Sequence, residues 1–404
     1  MALQVIIIGA GTTGLLLAQG LKQTGIKATV YERETPEMYM DRPREWGMSL
    51  HWGTQSVMRL LSPELRGRIK EVWTDPTIPD NSFYELPIYA GHSGELLGKT
   101  SDRSMRVTRR KMRKLFSEGI DIQYGKHLLA IAKSEGGRVT ATFADGTSVS
   151  GHLIVGCDSA NSTTRQLLLG DAGKVNHLDL TMLNFTCKFD VETARLIRAT
   201  HPFAFNSYHP ANRMLWVSAQ DIGDPEDPTT WTFQLIMSWP GTPRAGDQDL
   251  ADQAARTAYL KGMASEYAQP WRTIIEKIPD DIKFGTDKVS SWRPFDWSTT
   301  TLLAGVTTLA GDAAHPFPPY RGQGLNTGLE DAAELAAELA GVKSAPEELT
   351  AAVQRYEKCM LARAHREFPL SEKSASAAHD FKRIHEHPIL KMGLDRASGF
   401  ATQG

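Results

Sequence analysis

Cysteine is scarce in this chain: Cys157, Cys187 and Cys359 are the three in 404 residues. Their odd number argues against a disulfide framework and for a reducing compartment, the cytoplasm. They show no metal-ligand spacing, so no metal centre is expected. Long apolar runs are missing too. No stretch approaches the roughly twenty residues that a membrane-spanning helix needs. Charge of one sign is also lacking, because 45 Lys and Arg against 47 Asp and Glu leave a net charge of −2. That balance carries no basic footprint for nucleic acid or an anionic membrane. No repeat or low-complexity segment occurs. The first candidate strand begins at Gln4, so no secretory leader is expected. What is present is apolar residue, 41% of the chain, enough for sizeable cores. The length exceeds the usual single-core size, so two domains are expected.

Two glycine-rich turns stand at opposite ends of the chain. Gly9-Ala10-Gly11-Thr12-Thr13-Gly14 follows the apolar run Val5–Ile8. Such a run reads as a buried parallel strand. Gly9 allows a tight turn, Gly11 a close backbone approach to a pyrophosphate, and Gly14 close packing of the next helix. The helix that begins there offers its N-terminal N–H groups to phosphate oxygens. A second strand, Ala28–Tyr31, leads to Glu32, eighteen residues after Gly14. That is close to the place of an acid that accepts ribose hydroxyls. The second turn reads Gly311-Asp312-Ala313-Ala314-His315, then Pro318-Pro319-Tyr320-Arg321-Gly322-Gln323-Gly324-Leu325-Asn326. It supplies another acid and another helix N-terminus. Together the turns point to one large dinucleotide, FAD, held by both ends of the chain.

Between them the texture changes. Thr54–Leu61 and Thr108–Gly119 read as helices. Ile120–Tyr124, Leu128–Lys133, Val139–Phe143, Ser148–Ser150 and His152–Gly156 read as strands, with Asp145-Gly146 as a hairpin turn. Met182–Phe189, Met214–Ala219 and Trp231–Trp239 are longer, aromatic β-type segments. Alternation in the last puts Trp231, Phe233, Leu235, Met237 and Trp239 on one face and Thr232, Gln234, Ile236 and Ser238 on the other. Helices follow at Asp249–Ala264 and Trp271–Lys277, then strands at Leu302–Ala304 and Val306–Ala310. Gly328–Leu339 and Glu347–Phe368 read as helices, and the tail from Ser371 as partly helical and exposed. The expected fold is α/β. A Rossmann-like FAD-binding domain takes residues 1–75, 101–175 and 290–345, with an inserted β-sheet substrate domain from 76–100 and 176–289. A helical segment, 346–404, ends the chain.

The sequence resembles the class A flavoprotein monooxygenases of the para-hydroxybenzoate hydroxylase type over roughly residues 1–365. Three motifs carry the likeness: Gly9–Gly14 with Glu32-Arg33; Leu153-Ile154-Val155-Gly156-Cys157-Asp158-Ser159-Ala160-Asn161-Ser162-Thr163-Thr164-Arg165; and Gly311 through Asn326. The resemblance implies that Asp312 binds a ribityl hydroxyl and that Gly324, Leu325 and Asn326 lie beside the isoalloxazine. It implies that Arg109 contacts FAD, and that Asp158 and Arg165 belong to a segment linked with FAD and NAD(P)H. Arg42 and Arg44 stand where the family has an arginine near the flavin, and Arg44 is favoured. Ser159 replaces the family's usual glycine, at a cost of about 1 kcal/mol if φ is positive there. Relatives of the phenol hydroxylase type carry a thioredoxin-like third domain, which is not expected here.

The chemistry implied is monooxygenation of a bulky, electron-rich small molecule (aromatic, polyketide or alkaloid-like), as in secondary metabolism. NADPH or NADH would serve as transient reductant, with O₂ and a flavin C4a-hydroperoxide. Baeyer–Villiger oxidation or epoxidation on the same fold, and a flavin oxidase or dehydrogenase without oxygen insertion, stay open. Candidate catalytic residues are Arg321 (substrate oxyanion or a surface acid), Tyr320 and Gln234, with Trp216 and Tyr208 as further pocket candidates. Pro319 stiffens the loop before the flavin-facing helix. His315 reads as structural, bonded to backbone. A monomer or homodimer is expected.

Overall fold

The computed structural model describes residues 3–40, 44–79, 84–102, 104–134, 137–241, 252–343 and 346–392. Arg42 lies outside them. The apolar run Gln4–Ile8 is the central strand of a five-stranded parallel sheet. Its order is Thr307–Leu309, Leu153–Gly156, Gln4–Ile8, Lys27–Tyr31, Ile122–Gln123. The chain leaves Gln4–Ile8 first to one side and returns later on the other, so this strand marks the switch point. Register pairs Ile8 with both Tyr31 and Gly156. The ends of these strands, and the motifs that follow each, therefore meet along one edge.

Val5, Ile7, Leu15, Leu16 and Leu17 are fully buried in the core beneath this sheet. Leu335 and Leu339 from the helix Gly324–Ala340, and Val353, Tyr356 and Met360 from Pro346–Ala378, join the same core. The long helix thus shares one core with the parallel sheet. It also runs through Pro369, beyond the expected end at Phe368. Burial of Phe368, Ser371 and Ser374 on both sides of the proline holds it there. Leu302–Ala304 is a turn, not a strand, and Leu302 is 88% exposed.

The second sheet has seven strands, in the order Thr286–Ser291, Asn176–Cys187, Thr232–Pro240, Arg213–Asp221, Ala204–His209, Tyr84–Ala90, Leu96–Asp102. Alternation sorts its faces. Phe233, Leu235 and Met237 pack with Leu215, Val217, Ile274 and Ile275 in one core. Ile236, Trp216, Tyr208 and Tyr320 belong to another on the opposite face. Ala375, Ala378, Ile384 and Ile389 pack into that same face, so the described part of the tail is buried against the sheet instead of exposed. A two-stranded ribbon, Gly47–Leu50 with Met105–Thr108, lies between the two sheets. No helix among the described residues is long and apolar enough to cross a membrane.

Candidate active site

The first glycine turn is built as its spacing suggests. Gly9 has φ +104°, and a Cβ there would sit 2.5 Å from the Cys157 carbonyl oxygen. A Cβ on Gly14 would come within 2.3 Å of the Gly9 oxygen, so this glycine lets helix Thr12–Gln23 lie against the strand. That helix has no side-chain cap at its N-terminus, which leaves its first N–H groups to an anion. Glu32 is buried at the end of the second strand. Its carboxylate accepts from Ala10 N (2.8 Å) and Glu34 N (3.0 Å), which braces the turn. Tyr39 donates to Ala10 O (2.8 Å) from beneath, with Arg113 stacked on its ring at 3.4 Å. Burial outweighs that nearby cation and pushes the phenol up to about 12.

The other two motifs meet it from the neighbouring strands. Asp158 accepts from Ser162 Oγ (2.5 Å), Thr164 N (2.8 Å) and Thr164 Oγ1 (3.0 Å), so its carboxylate is spent on closing its own loop. Desolvation still holds its pKa above the ordinary value. Ser159 has φ +71°, the left-handed conformation that favours glycine. Arg165 donates to the carbonyls of Gly173 (2.7 Å), Ala313 (2.8 Å) and Ala160 (2.6 Å) and lies over Trp292 at 4.8 Å. It clamps the second motif to the third. His315 bonds a carboxylate, Asp331 Oδ2 at 2.6 Å, and not the backbone expected for its ring. Asp331 also takes Gly311 N (2.8 Å) and Arg363 Nη2 (2.6 Å). Burial alone would raise the Asp331 pKa, but His315 and Arg363 bring it down to about 2.

These turns enclose a cleft of about 470 Å³. Gly9, Gly11, Glu32, Arg33, Arg44, Arg109, Asp158, Asp312, Gly324 and Leu325 all line it. The size lies within the range of about 300–1,000 Å³ usual for cofactor and ligand pockets. Asp312 keeps its side chain exposed to the cleft although protein crowds it closely. Desolvation raises its pKa against the opposing charges of His315, Arg109 and Arg165. Two uncapped helix N-termini, Thr12–Gln23 and Gly324–Ala340, together with two acids that follow strands on either side of the central pair, suit the phosphates and hydroxyls of FAD. Three cofactor candidates lie off the cleft wall. Gly14 packs on the strand. Pro319 is exposed in the 3₁₀ turn Pro319–Arg321. Asn326 is buried, accepting from His51 N (2.8 Å) and Gly53 N (3.2 Å) and donating to Ser49 O (3.0 Å). It ties the flavin-facing helix to the loop after the ribbon.

The catalytic candidates do not gather at one point. Arg321 is buried and pairs with Glu367 (2.5 Å), which in turn accepts from Ser371 Oγ (3.0 Å). Its partner is thus an interior acid, neither the substrate oxyanion nor the surface acid the sequence left open. Tyr320 is buried edge-on to His379 at 4.8 Å, away from the cleft wall. Gln234 does face the ribbon. Its Oε1 accepts from Gly47 N (3.0 Å) and Arg106 Nη2 (2.6 Å), and its Nε2 donates to Asn184 (2.9 Å). Its amide thus ties the ribbon to the large sheet. Arg44 lines the cleft and pairs with Asp287 of the large sheet, so it also bridges the two domains. Arg109 stacks on Trp46 at 4.6 Å. Sequence reasoning passed over Arg106. The signal was its parity: in Met105–Thr108 it shares a face with Thr108, opposite the buried Val107.

Known proteins match this arrangement. The family model described as "FAD binding domain" matches residues 2–61 and 103–366. The FAD-dependent monooxygenase phnB of Penicillium herquei is 36% identical over 409 residues, covering 99% of this chain and 97% of its own. The FAD-dependent monooxygenase cctM of Talaromyces islandicus is 32% identical over 398 residues, covering 98% of each. Among solved structures, Klebsiella pneumoniae HpxO complexed with FAD and uric acid superposes with a TM-score of 0.77 at 21% identity, over 98% of this chain and 96% of that one. That likeness speaks for the fold. With the motifs meeting around one cleft, and with relatives this similar over nearly their whole lengths, the chain belongs to the FAD-binding family of flavoprotein monooxygenases.

Proposed function

We propose that this protein hydroxylates a bulky, electron-rich aromatic or polyketide-like molecule, using O₂ and either NADH or NADPH. One observation carries the reading: the ribbon Gly47–Leu50 and Met105–Thr108 touches both cleft and large sheet, with Met48 lining the cleft and Arg106 bonded to Ser218 and Gln234 of the sheet. When bound, FAD supplies the redox chemistry, taking two electrons from the nicotinamide and passing them to O₂. The protein supplies place and dryness. Gly9, Gly11 and the helix behind them would hold the pyrophosphate, and Glu32 and Asp312 would hold the sugar-derived hydroxyls. Arg44 stands at the exposed side of the cleft, where a nicotinamide cofactor would enter. The sequence carries one glycine-rich strand–turn–helix of dinucleotide type, which supports transient binding of the reductant. The large sheet keeps water from the reacting face, limiting wasteful release of peroxide.

The test is incubation of the flavin-loaded protein with oxygen-18 gas, each nicotinamide cofactor in turn, and a panel of phenolic polyketides. The expected product carries one labelled oxygen, with matching consumption of reductant. Peroxide formation with no labelled product from any member would overturn the reading. A labelled ester or epoxide would redirect it to Baeyer–Villiger or epoxidation chemistry.

A further inference from the structure

The interior between ribbon and large sheet contains a cation with no counter-ion among the described residues. Arg106 is only 7% exposed. Its guanidinium donates to Gln234 Oε1 (2.6 Å), Ser218 Oγ (3.0 Å) and Ser49 Oγ (3.3 Å), and its Cζ lies 5.4 Å from the centre of the Trp216 ring. Every one of these partners is uncharged. Among the described residues no carboxylate lies within ion-pair distance, and Nε has no hydrogen-bond partner. Burial lowers its pKa to about 9 with no neighbouring charge opposing it, so it is still a cation at neutral pH. Arg363 faces three carboxylates and Arg321 has Glu367, and Arg165, which has no carboxylate in ion-pair distance among the described residues, fills Nε, Nη1 and Nη2 with backbone carbonyls. Buried charges are normally paired, because an isolated one is costly to desolvate.

A small cavity adjoins this cation. Ser49, Tyr84, Leu86, Phe203 and Trp216 line it with Arg106, and its volume is about 10 Å³. That is room for one water-sized group. It admits a single oxygen atom more readily than a carboxylate. Ser49 belongs to the same strand as Met48, which lines the cofactor cleft, so cavity and cleft are neighbours across one strand.

We propose that Arg106 determines specificity in the substrate site by receiving the ionised oxygen of a phenol or enol, whose ring sits at the aromatic mouth of this cavity. The proposal rests on the hydroxylase reading and deepens it by naming the substrate class. An oxygen held as the anion releases electron density into its ring, which is what an electrophilic oxygen transfer requires. No carboxylate of the substrate is needed.

Two probes of nearly the same shape separate the possibilities: para-nitrophenol, kept ionised by the buffer, and para-nitroanisole, its O-methyl ether. Each is titrated into the flavin-loaded protein, and binding is read from the change in flavin absorbance. The phenolate should bind about tenfold or more tightly than the ether, the scale of a charge-assisted hydrogen bond. Arg106→Met should remove that preference while leaving ether binding and flavin content in place, and Arg106→Lys should restore part of it. Equal binding of the two probes by the unaltered protein would overturn the role of Arg106 and leave the hydroxylase reading intact. So would a preference that survives Arg106→Met. If neither probe perturbs the flavin, both the role and the placement of the substrate beside the flavin fall. The comparison on the unaltered protein decides even if Arg106→Met does not fold.

Discussion

Buried charge is handled in two ways in this molecule. In the flavin-side domain it is matched. Asp331 answers His315, Gly311 N and Arg363, and Arg363 answers Glu330 and Glu334 in addition. Arg165 spends its donors on three backbone carbonyls that join two motifs. At the edge of the cleft and between the domains it is left open. Asp312 points into the cleft and accepts no hydrogen bond from the described residues, and Arg106 faces neutral partners alone. Matched groups hold the scaffold. Unmatched groups wait for a ligand, and desolvation shifts both of them toward their neutral forms.

The matched side can be broken hardest. Asp331→Ala strands His315 and the Gly311 amide and takes one of three carboxylates from Arg363. It should cost about 3–5 kcal/mol, read from the midpoint of urea unfolding. A loss under about 1 kcal/mol would mean that this network does not stabilise the scaffold. Glu357 tests the same contrast by pH. It is buried, accepts from Trp297 Nε1 (3.0 Å) and Thr308 Oγ1 (2.8 Å), and desolvation pushes its pKa up to about 7. Folding therefore favours its protonated form. The stability it contributes is full below the unfolded value of about 4.3 and is lost as pH rises through about 7. Glu357→Gln should flatten that decline and gain up to roughly 3 kcal/mol over the parent at pH 8. An unchanged pH profile would show that the burial of Glu357 is not felt. The smallest effect belongs to Ser159, whose φ of +71° costs a side chain little more than glycine saves. Ser159→Gly should stabilise by at most about 1 kcal/mol, since glycine's greater freedom when unfolded offsets part of the relief. A clear loss of melting temperature would instead assign work to the serine hydroxyl.

The cofactor half was legible in the sequence because its signals are local. Three glycines, a strand and an acid lie within one βαβ unit, and the parallel register brings the three motifs together. The faces of Thr232–Pro240 were legible for the same reason, a period of two residues. Strand Ala204–His209 was not. All six of its residues are buried, so it shows no alternation, and it has no β-branched residue. The tail was read as exposed. Small side chains such as Ala375 and Ala378 nonetheless pack closely on a sheet. The partners of the buried charges were beyond reach, since they are tertiary. Arg165 meets Ala313 from 148 residues away, and Arg106 meets Gln234 from 128. Composition says that Arg321 can pair with an acid, but only packing selects Glu367.

The central claim, one FAD held by motifs from both ends of the chain, is tested most directly by the flavin content of Asp312→Ala. The account predicts protein with the parent's far-ultraviolet dichroism and oligomeric state that purifies nearly colourless and takes up little added FAD. A variant that retains a full equivalent of FAD at unchanged affinity would contradict it.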